Sequence, residues 1–250
     1  MLAIQESPAR QFLQQLGNTL PRPAAILVAS AHWEVDGTTA VSFAKQPETI
    51  HDFGGFPAAL FAIQYPAPGA PELAKQVIDL LDAANIRIVA SADRGLDHGA
   101  WVPLSLMYPA ADIPVVQIAL MRGASPLEHE RLGRALSALR AQGVLIIGSG
   151  SLTHNLQEFR GQPIDALTPP WVTEFEAWMH TTLQTGEYEN LRAYRRLAPS
   201  AERNHPSEEH LLPLFVALGA AGSAVNAERI HASYQYGILA MDVYAFSPSA

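Results

Sequence analysis

Nine histidines stand in a chain of 250 residues, and five of them occupy positions where side chains do chemistry. His32 closes the apolar run "AAILVASAH", His154 follows "VLIIGSGS", and His98 lies in "GLDHGAW", the turn after "IRIVAS". Ligand sites of open α/β sheets gather outside the carboxyl ends of the strands. Three strands therefore each bring a histidine to one edge of a sheet. His51, in the glycine-rich "IHDFGGFP", sits in a loop long enough to fold over that edge. His210 lies near the start of a helix, beside Glu208 and Glu209.

Imidazole ligates zinc, iron and related ions and titrates near neutral pH, so such a group could hold a metal or move protons. Cysteine is absent, which excludes disulfides and thiolate sites and leaves histidine and carboxylate for any transition metal. His32, His154 and His210 are far apart in sequence, unlike a compact His-Glu-x-x-His helix. Spacing alone leaves open that each histidine simply hydrogen-bonds loop backbone at a strand end. His129 and His180 fall mid-helix among polar residues and read as solvated, whereas His205 and His231 read as structural. "HDFGGFP" reads either as a tight turn needing Gly54 and Gly55, or as a lid whose Phe53 and Phe56 flank an aromatic ligand. "GSGSLTHN" lacks the lysine and the spacing of a phosphate loop, so nucleotide binding is discounted.

The elements that must position these residues alternate along the chain. "SPARQFLQQLGNTLP" reads as a helix with Ser7 as N-cap, Pro8 in its first turn, and Gly17 with Pro21 at its close. "AAILVASA", "IRIVAS", "DIPVVQIAL" and "VLIIGSGS" read as buried strands, and "YGILAMDVYAF" as a last one. Helices are expected over "ELAKQVIDLLDAAN", "PLEHERLGRALSALRAQG", "WVTEFEAWMHTTLQ", "NLRAYRRL" and "SEEHLLPLFVALGAAG". The alternation predicts one α/β domain over residues 1–250, with a central mixed, largely parallel sheet covered by helices on both faces.

Composition narrows the partners. With 48% hydrophobic and 16% charged residues the chain has the makings of a packed core, which argues against disorder. A net charge of −8, with no basic stripe, disfavours nucleic acid. No apolar stretch is long enough to cross a membrane and no signal sequence is evident, so a cytoplasmic protein is expected.

Several ordered segments resemble one family. "LPRPAAILVASAHWE", "TIHDFGGFPAALF", "YPAPGAPELA", "GLDHGAWVPLSLMYPAADIPVVQIAL", "IIGSGSLTHNL" and "HPSEEHLLPLFVALGAAG" look like the class III extradiol ring-cleavage dioxygenases. The branch they most resemble is that of the DOPA 4,5-extradiol enzymes. The resemblance implies one Fe(II) or Zn(II) ion per chain, with His32, His154 and His210 as metal ligands. It also implies His98 as the acid/base, and His51, Phe53 and Trp33 around the substrate. The reaction implied is ring opening of a small aromatic diol by dioxygen. The family's usual opening strand and its "SHGSP" histidine have no counterpart here, since the sequence starts at "MLAIQESPARQF". Two other readings fit the same histidines: a zinc hydrolase, and a non-catalytic interaction module.

Overall fold

The computed structural model describes residues 1–222 and 225–248. Its elements run α1 (Pro8–Thr19), β1 (Ala25–Asp36), β2 (Thr39–Ser42), α2 (Ala58–Phe61), α3 (Pro71–Ala83), β3 (Ile88–Ser91) and α4 (His98–Met107). They continue with β4 (Val115–Arg122), α5 (Pro126–Ala135), β5 (Val144–Ser149), α6 (Pro170–Gln184), α7 (Tyr188–Arg192), α8 (Tyr194–Leu197) and α9 (Ala201–Asn204). Last come α10 (Leu212–Ala220), β6 (Val225–His231), β7 (Tyr234–Gln235), β8 (Leu239–Ala240) and β9 (Val243–Pro248).

The central sheet has five strands in the order β3-β2-β4-β1-β5. β1 runs parallel to β4 and β5, β2 runs parallel to β3, and the β2–β4 pair is antiparallel. A mixed, mostly parallel sheet is thus covered on both faces, as the alternation of elements predicts. On one face Leu27, Ala29, Val116 and Ile118 pack with residues of α3, α5, α6 and α10. On the other, Ile26, Val28 and Val115 meet Trp101 and Leu104 of α4, with Leu13 and Leu16 of α1 alongside.

Local chemistry sets the element ends. Ser7 caps α1 by accepting from the Arg10 amide at 3.2 Å, with Pro8 in the first turn. Ser125 and Glu128 close a capping box on α5.

Several expectations are corrected. Gly17 does not end α1; it lies inside the helix where a methyl would strike the Met107 carbonyl of α4. His129 is not solvated but fully buried, accepting from the Met121 amide at 3.1 Å while its other nitrogen contacts the Ser125 carbonyl at 3.0 Å. β2 and β6 stand where the sequence shows no strand signal. The last apolar run divides into β8 and β9, which pair with β7 and β6 respectively.

Candidate active site

β1 is longer than its apolar run. Ala29 pairs with Ile118 but Glu34 with Leu120, so the stretch from Ser30 to Trp33 bulges from the ladder with β4. His32 sits on that bulge. Beside it, α4 begins at His98 and is capped by Asp97, whose carboxylate is fully buried. Asp97 Oδ1 accepts from Ser30 Oγ at 2.6 Å and from the Ala100 amide at 3.2 Å. Its Oδ2 accepts from Arg94 at 2.6 Å and Gln117 at 2.8 Å. Four donors offset the cost of burying this charge and fix where α4 starts.

The loop carrying Asp52 is held against α4. Thr49 bridges to Leu96, the Ile50 amide donates to the Leu96 carbonyl at 2.7 Å, and Trp101 Nε1 donates to the Ile50 carbonyl at 2.9 Å. Asp52 then meets His98 twice: its Oδ1 lies 3.0 Å from the His98 amide and 2.9 Å from His98 Nδ1. Asp52 Oδ2 lies 3.5 Å from His32 Nδ1. Partial burial works to raise the Asp52 pKa, but the hydrogen bonds from the His98 ring and amide outweigh it and hold the group at about 2.

From the other side, the "GSGS" turn brings in His154 and His210. Gly150 is required because any β-carbon would collide with the His210 carbonyl, and the Ser151 amide donates to that same carbonyl at 3.0 Å. The glycines therefore serve close packing of backbone on backbone. The His154 amide donates to the Asn204 carbonyl at 3.0 Å. His210 Nδ1 contacts Glu209 Oε1 at 3.1 Å, and its Nε2 is buried without any partner.

These pieces meet. The His32 and His98 ring centroids are 3.8 Å apart, those of His32 and His210 are 5.1 Å apart, and His154 stacks on His210 at 3.5 Å. Burial, then the His98 and His210 rings, push His32 down to about 4. Burial with His210, His205 and His32 pushes His154 down to about 3. Both are neutral at pH 7, the state in which imidazole donates to a metal.

The residues fit a divalent ion. Among the described residues, His32, Asp52 and His98 offer ligand atoms all within 4.8 Å of one another, a His/His/Asp set consistent with one Fe or Zn ion. The orphaned His210 Nε2 is a further donor without an occupation, and Glu209 orients it as second-layer carboxylates orient ligating histidines. Hydrogen bonding to His210 holds Glu209 at about 2 against the effect of burial.

One cavity of about 840 Å³ opens over this cluster. His32, His98, His154 and His210 line it together with Phe53 and Phe56, and it continues along β5 between α1 and α10. Two expected pocket residues stand outside its wall. Trp33 is buried with Ala40 and Ala119, with the Arg94 guanidinium 4.9 Å from its ring. His51 contacts the Ile63 carbonyl at 3.0 Å and packs on Phe53, Phe61 and Trp101. Asp52 is the functional residue that the sequence reading passed over. Its signal was adjacency to His51 in a glycine-rich loop, but nothing local pointed it at His98, which is 46 residues away.

Histidines and a carboxylate gathered beneath a cavity that Phe53 and Phe56 help to line define the site of a metal-dependent enzyme. The comparisons give the class its name. Residues 5–246 match the family model described as the catalytic LigB subunit of aromatic ring-opening dioxygenase. The 4,5-DOPA dioxygenase extradiol of Beta vulgaris is 45% identical over 251 residues, spanning 99% of this chain and 92% of that protein. The protein of the same description from Escherichia coli K12 is 42% identical, over 83% of this chain and 76% of that one. A crystal structure of an Escherichia coli K12 protein called uncharacterized superposes with a TM-score of 0.79 at 31% identity, covering 96% of this chain and 93% of that one.

The chain belongs to this family, in the DOPA 4,5-dioxygenase-like branch of the class III extradiol enzymes. It is a metal-dependent extradiol ring-cleavage dioxygenase that uses a small catechol-type substrate and dioxygen.

Proposed function

We propose that the substrate is DOPA or a closely similar catechol, and that His98 is the group that moves its proton. The observation that carries this reading is the Asp52–His98 pair, whose histidine lines the cavity. Asp52 accepts from Nδ1, which leaves His98 Nε2 free for chemistry.

His32, His154 and His210 would hold the ion in this proposal. The partnerless Nε2 of His210 and the nearness of the His32 and His210 rings support these two as donors. The His154 ring lies within 9° of parallel to His210, so the in-plane lone pairs of the two cannot meet at one point. His154 would join His210 as a donor only with its ring turned off that stack. A redox-active ion held there would supply Lewis acidity toward the two diol oxygens and an electron path to dioxygen.

The protein's own work is positional. His98 Nε2 takes a proton from a catechol hydroxyl and returns one as the ring opens. Phe53, edge-on to His98 at 5.3 Å, forms the apolar wall against which the catechol ring lies. His51 and Trp101 back that wall. Cleavage beside the diol, not between its oxygens, gives a semialdehyde.

The same reading takes residues 1–250 as one catalytic domain working in the cytoplasm. Among the described residues no helix is long and apolar enough to cross a membrane.

The test is oxygen uptake by protein loaded anaerobically with Fe(II), using DOPA and unsubstituted catechol. Oxygen consumption with a yellow semialdehyde product supports the proposal. Turnover of simple catechols without DOPA rejects the substrate assignment. Hydrolysis of an ester by the Zn(II) form, with no oxygen consumed by the Fe(II) form, rejects the oxygenase reading.

A further inference from the structure

Phe56 is a large apolar side chain left 42% exposed at the mouth of the cavity that holds the histidines. It stands on a short strap with two fixed ends. At one end Asp52 is bonded to the His98 ring and amide. At the other, α2 plants Leu60 in the core, only 3% exposed. Between them Gly54, Gly55, Phe56 and Pro57 are all exposed, and a β-carbon added at either glycine would meet nothing within 4 Å. Gly55 adopts a φ of +76°, a conformation that glycine takes without cost. The strap is thus tethered at both ends and unpacked in the middle.

The rings form a sequence leading inward. Phe56 meets Phe53 edge-on at 5.5 Å and 88°, and Phe53 meets His98 edge-on at 5.3 Å and 89°. Phe56 is the most exposed of the three and lines the cavity. Exposed aromatic surface facing a cavity gains by covering a flat apolar ligand.

We propose that Phe56 is a substrate-binding residue of this enzyme, closing on the Gly54–Gly55 hinge to cover the outer face of the catechol ring. The inference rests on the ring-cleavage reading and adds a specificity determinant to it. The strap that carries Phe56 also carries Asp52, so covering the ring and holding His98 in register involve the same eight or so residues. Recognition by Phe56 is of the aromatic face, so it favours flat, unsubstituted ring faces over bulky or saturated ones.

The experiment compares wild type with Phe56→Ala, Phe56→Leu and Phe56→Tyr. Steady-state oxygen uptake is measured with DOPA and catechol, and 4-nitrocatechol binding is titrated spectrophotometrically to the Zn(II)-loaded proteins. Phe56→Ala is expected to lower kcat/KM about tenfold, chiefly through KM, and to weaken 4-nitrocatechol by a similar factor. Phe56→Tyr restores both, Phe56→Leu falls between, and metal content is the same in all four. Amide exchange across residues 53–60 slows in wild type when 4-nitrocatechol binds. Active wild type with unchanged KM and 4-nitrocatechol affinity in Phe56→Ala overturns this inference alone. Wild type that consumes no oxygen with any catechol overturns the ring-cleavage reading and this inference with it.

Discussion

One carboxylate oxygen of Asp52 serves His98 twice, meeting the backbone amide at 3.0 Å and ring Nδ1 at 2.9 Å. The first contact fixes where the residue sits and the second fixes which ring nitrogen carries the proton. Such an imidazole, in its neutral form, keeps its proton on Nδ1 and leaves Nε2 as the lone-pair nitrogen, the tautomer a general base needs. The arrangement joins the loop after β2 to the first turn of α4.

Asp52→Asn tests that pairing. An amide can still accept from the His98 backbone, but it no longer provides the charge that favours the Nδ1–H tautomer. We expect kcat to fall by about 10–100-fold, the range typical of carboxylates that orient a functional histidine. Stopped-flow or electrode measurements of oxygen uptake read this directly. A variant with wild-type kcat would show that His98 is oriented by something else.

Glu209 and Gly150 both act on His210. Glu209→Gln removes the charge that orients the ring through Nδ1, and Gly150→Ala forces a methyl against the His210 carbonyl. Each change should weaken Zn(II) or Fe(II) affinity about 10-fold or more while the fold persists. Competition with a chromophoric chelator gives the affinity, and far-ultraviolet circular dichroism gives the fold. Equal affinities in all three proteins would remove His210 from the ligand set.

Stripping the metal should abolish activity without unfolding the chain. The sheet, its two apolar faces and the fully paired Asp97 carboxylate do not depend on an ion. Dialysis against chelator followed by thermal melting checks this, with activity restored by Fe(II). Cooperative unfolding caused by the chelator itself would mean that the ion is structural.

A second carboxylate system, between α6 and the C-terminal strands, predicts a pH-dependent stability. Arg229 is shared by Glu176 and Asp242, lying 3.2 Å from the latter, and Tyr234 donates to Glu176 at 3.0 Å. The Asp242 side chain is 1% exposed; burial first, then Glu176, push its pKa up to about 7 despite Arg229. Unfolded, the group titrates near 4. Between those values the folded chain keeps a proton that the unfolded chain has released, so stability falls as pH rises from about 4 to 7. A shift of that size is worth on the order of 4 kcal/mol as an upper figure. Asp242→Asn should flatten the slope and be the more stable form at pH 7.5. Urea titrations at pH 5, 6 and 7.5 decide it, and parallel slopes for the two proteins would refute the assignment. Asp52 and Glu209, both held at about 2, act in the opposite sense, and their stabilisation is lost as pH falls below about 4.

How much of this was legible in the sequence depended on range. Apolar runs of strand length announced β1, β4 and β5, and Ser7 with Pro8 announced α1, because those signals are contained in a few neighbouring residues. The meeting of His32 and His154 followed from one topological rule about strand ends. The rule does not account for His98, because β3 runs parallel to β2 and therefore opposite to β1, β4 and β5, nor for His210, which stands just before α10. What failed was whatever depended on distant partners. Polar neighbours in sequence placed His129 in solvent, yet the Met121 amide and the Ser125 carbonyl satisfy it in the core. β2 is only four residues long and is defined by pairing with β3 and β4, which no local pattern reveals. Trp33 looked like a ring-binding residue because it adjoins His32, but the β1 bulge sends the two neighbours to different surroundings.

β5 forms one margin of the central sheet, and the cavity runs along its outer side past Leu145, Ile146 and Ile147. A row of unpaired peptide groups between greasy walls is an invitation to any extended chain. The molecule thus carries, beside its catalytic centre, a template for cross-strand adhesion. Association in concentrated solution is expected to begin at that margin. Handling it dilute and cold should slow the growth of light scattering.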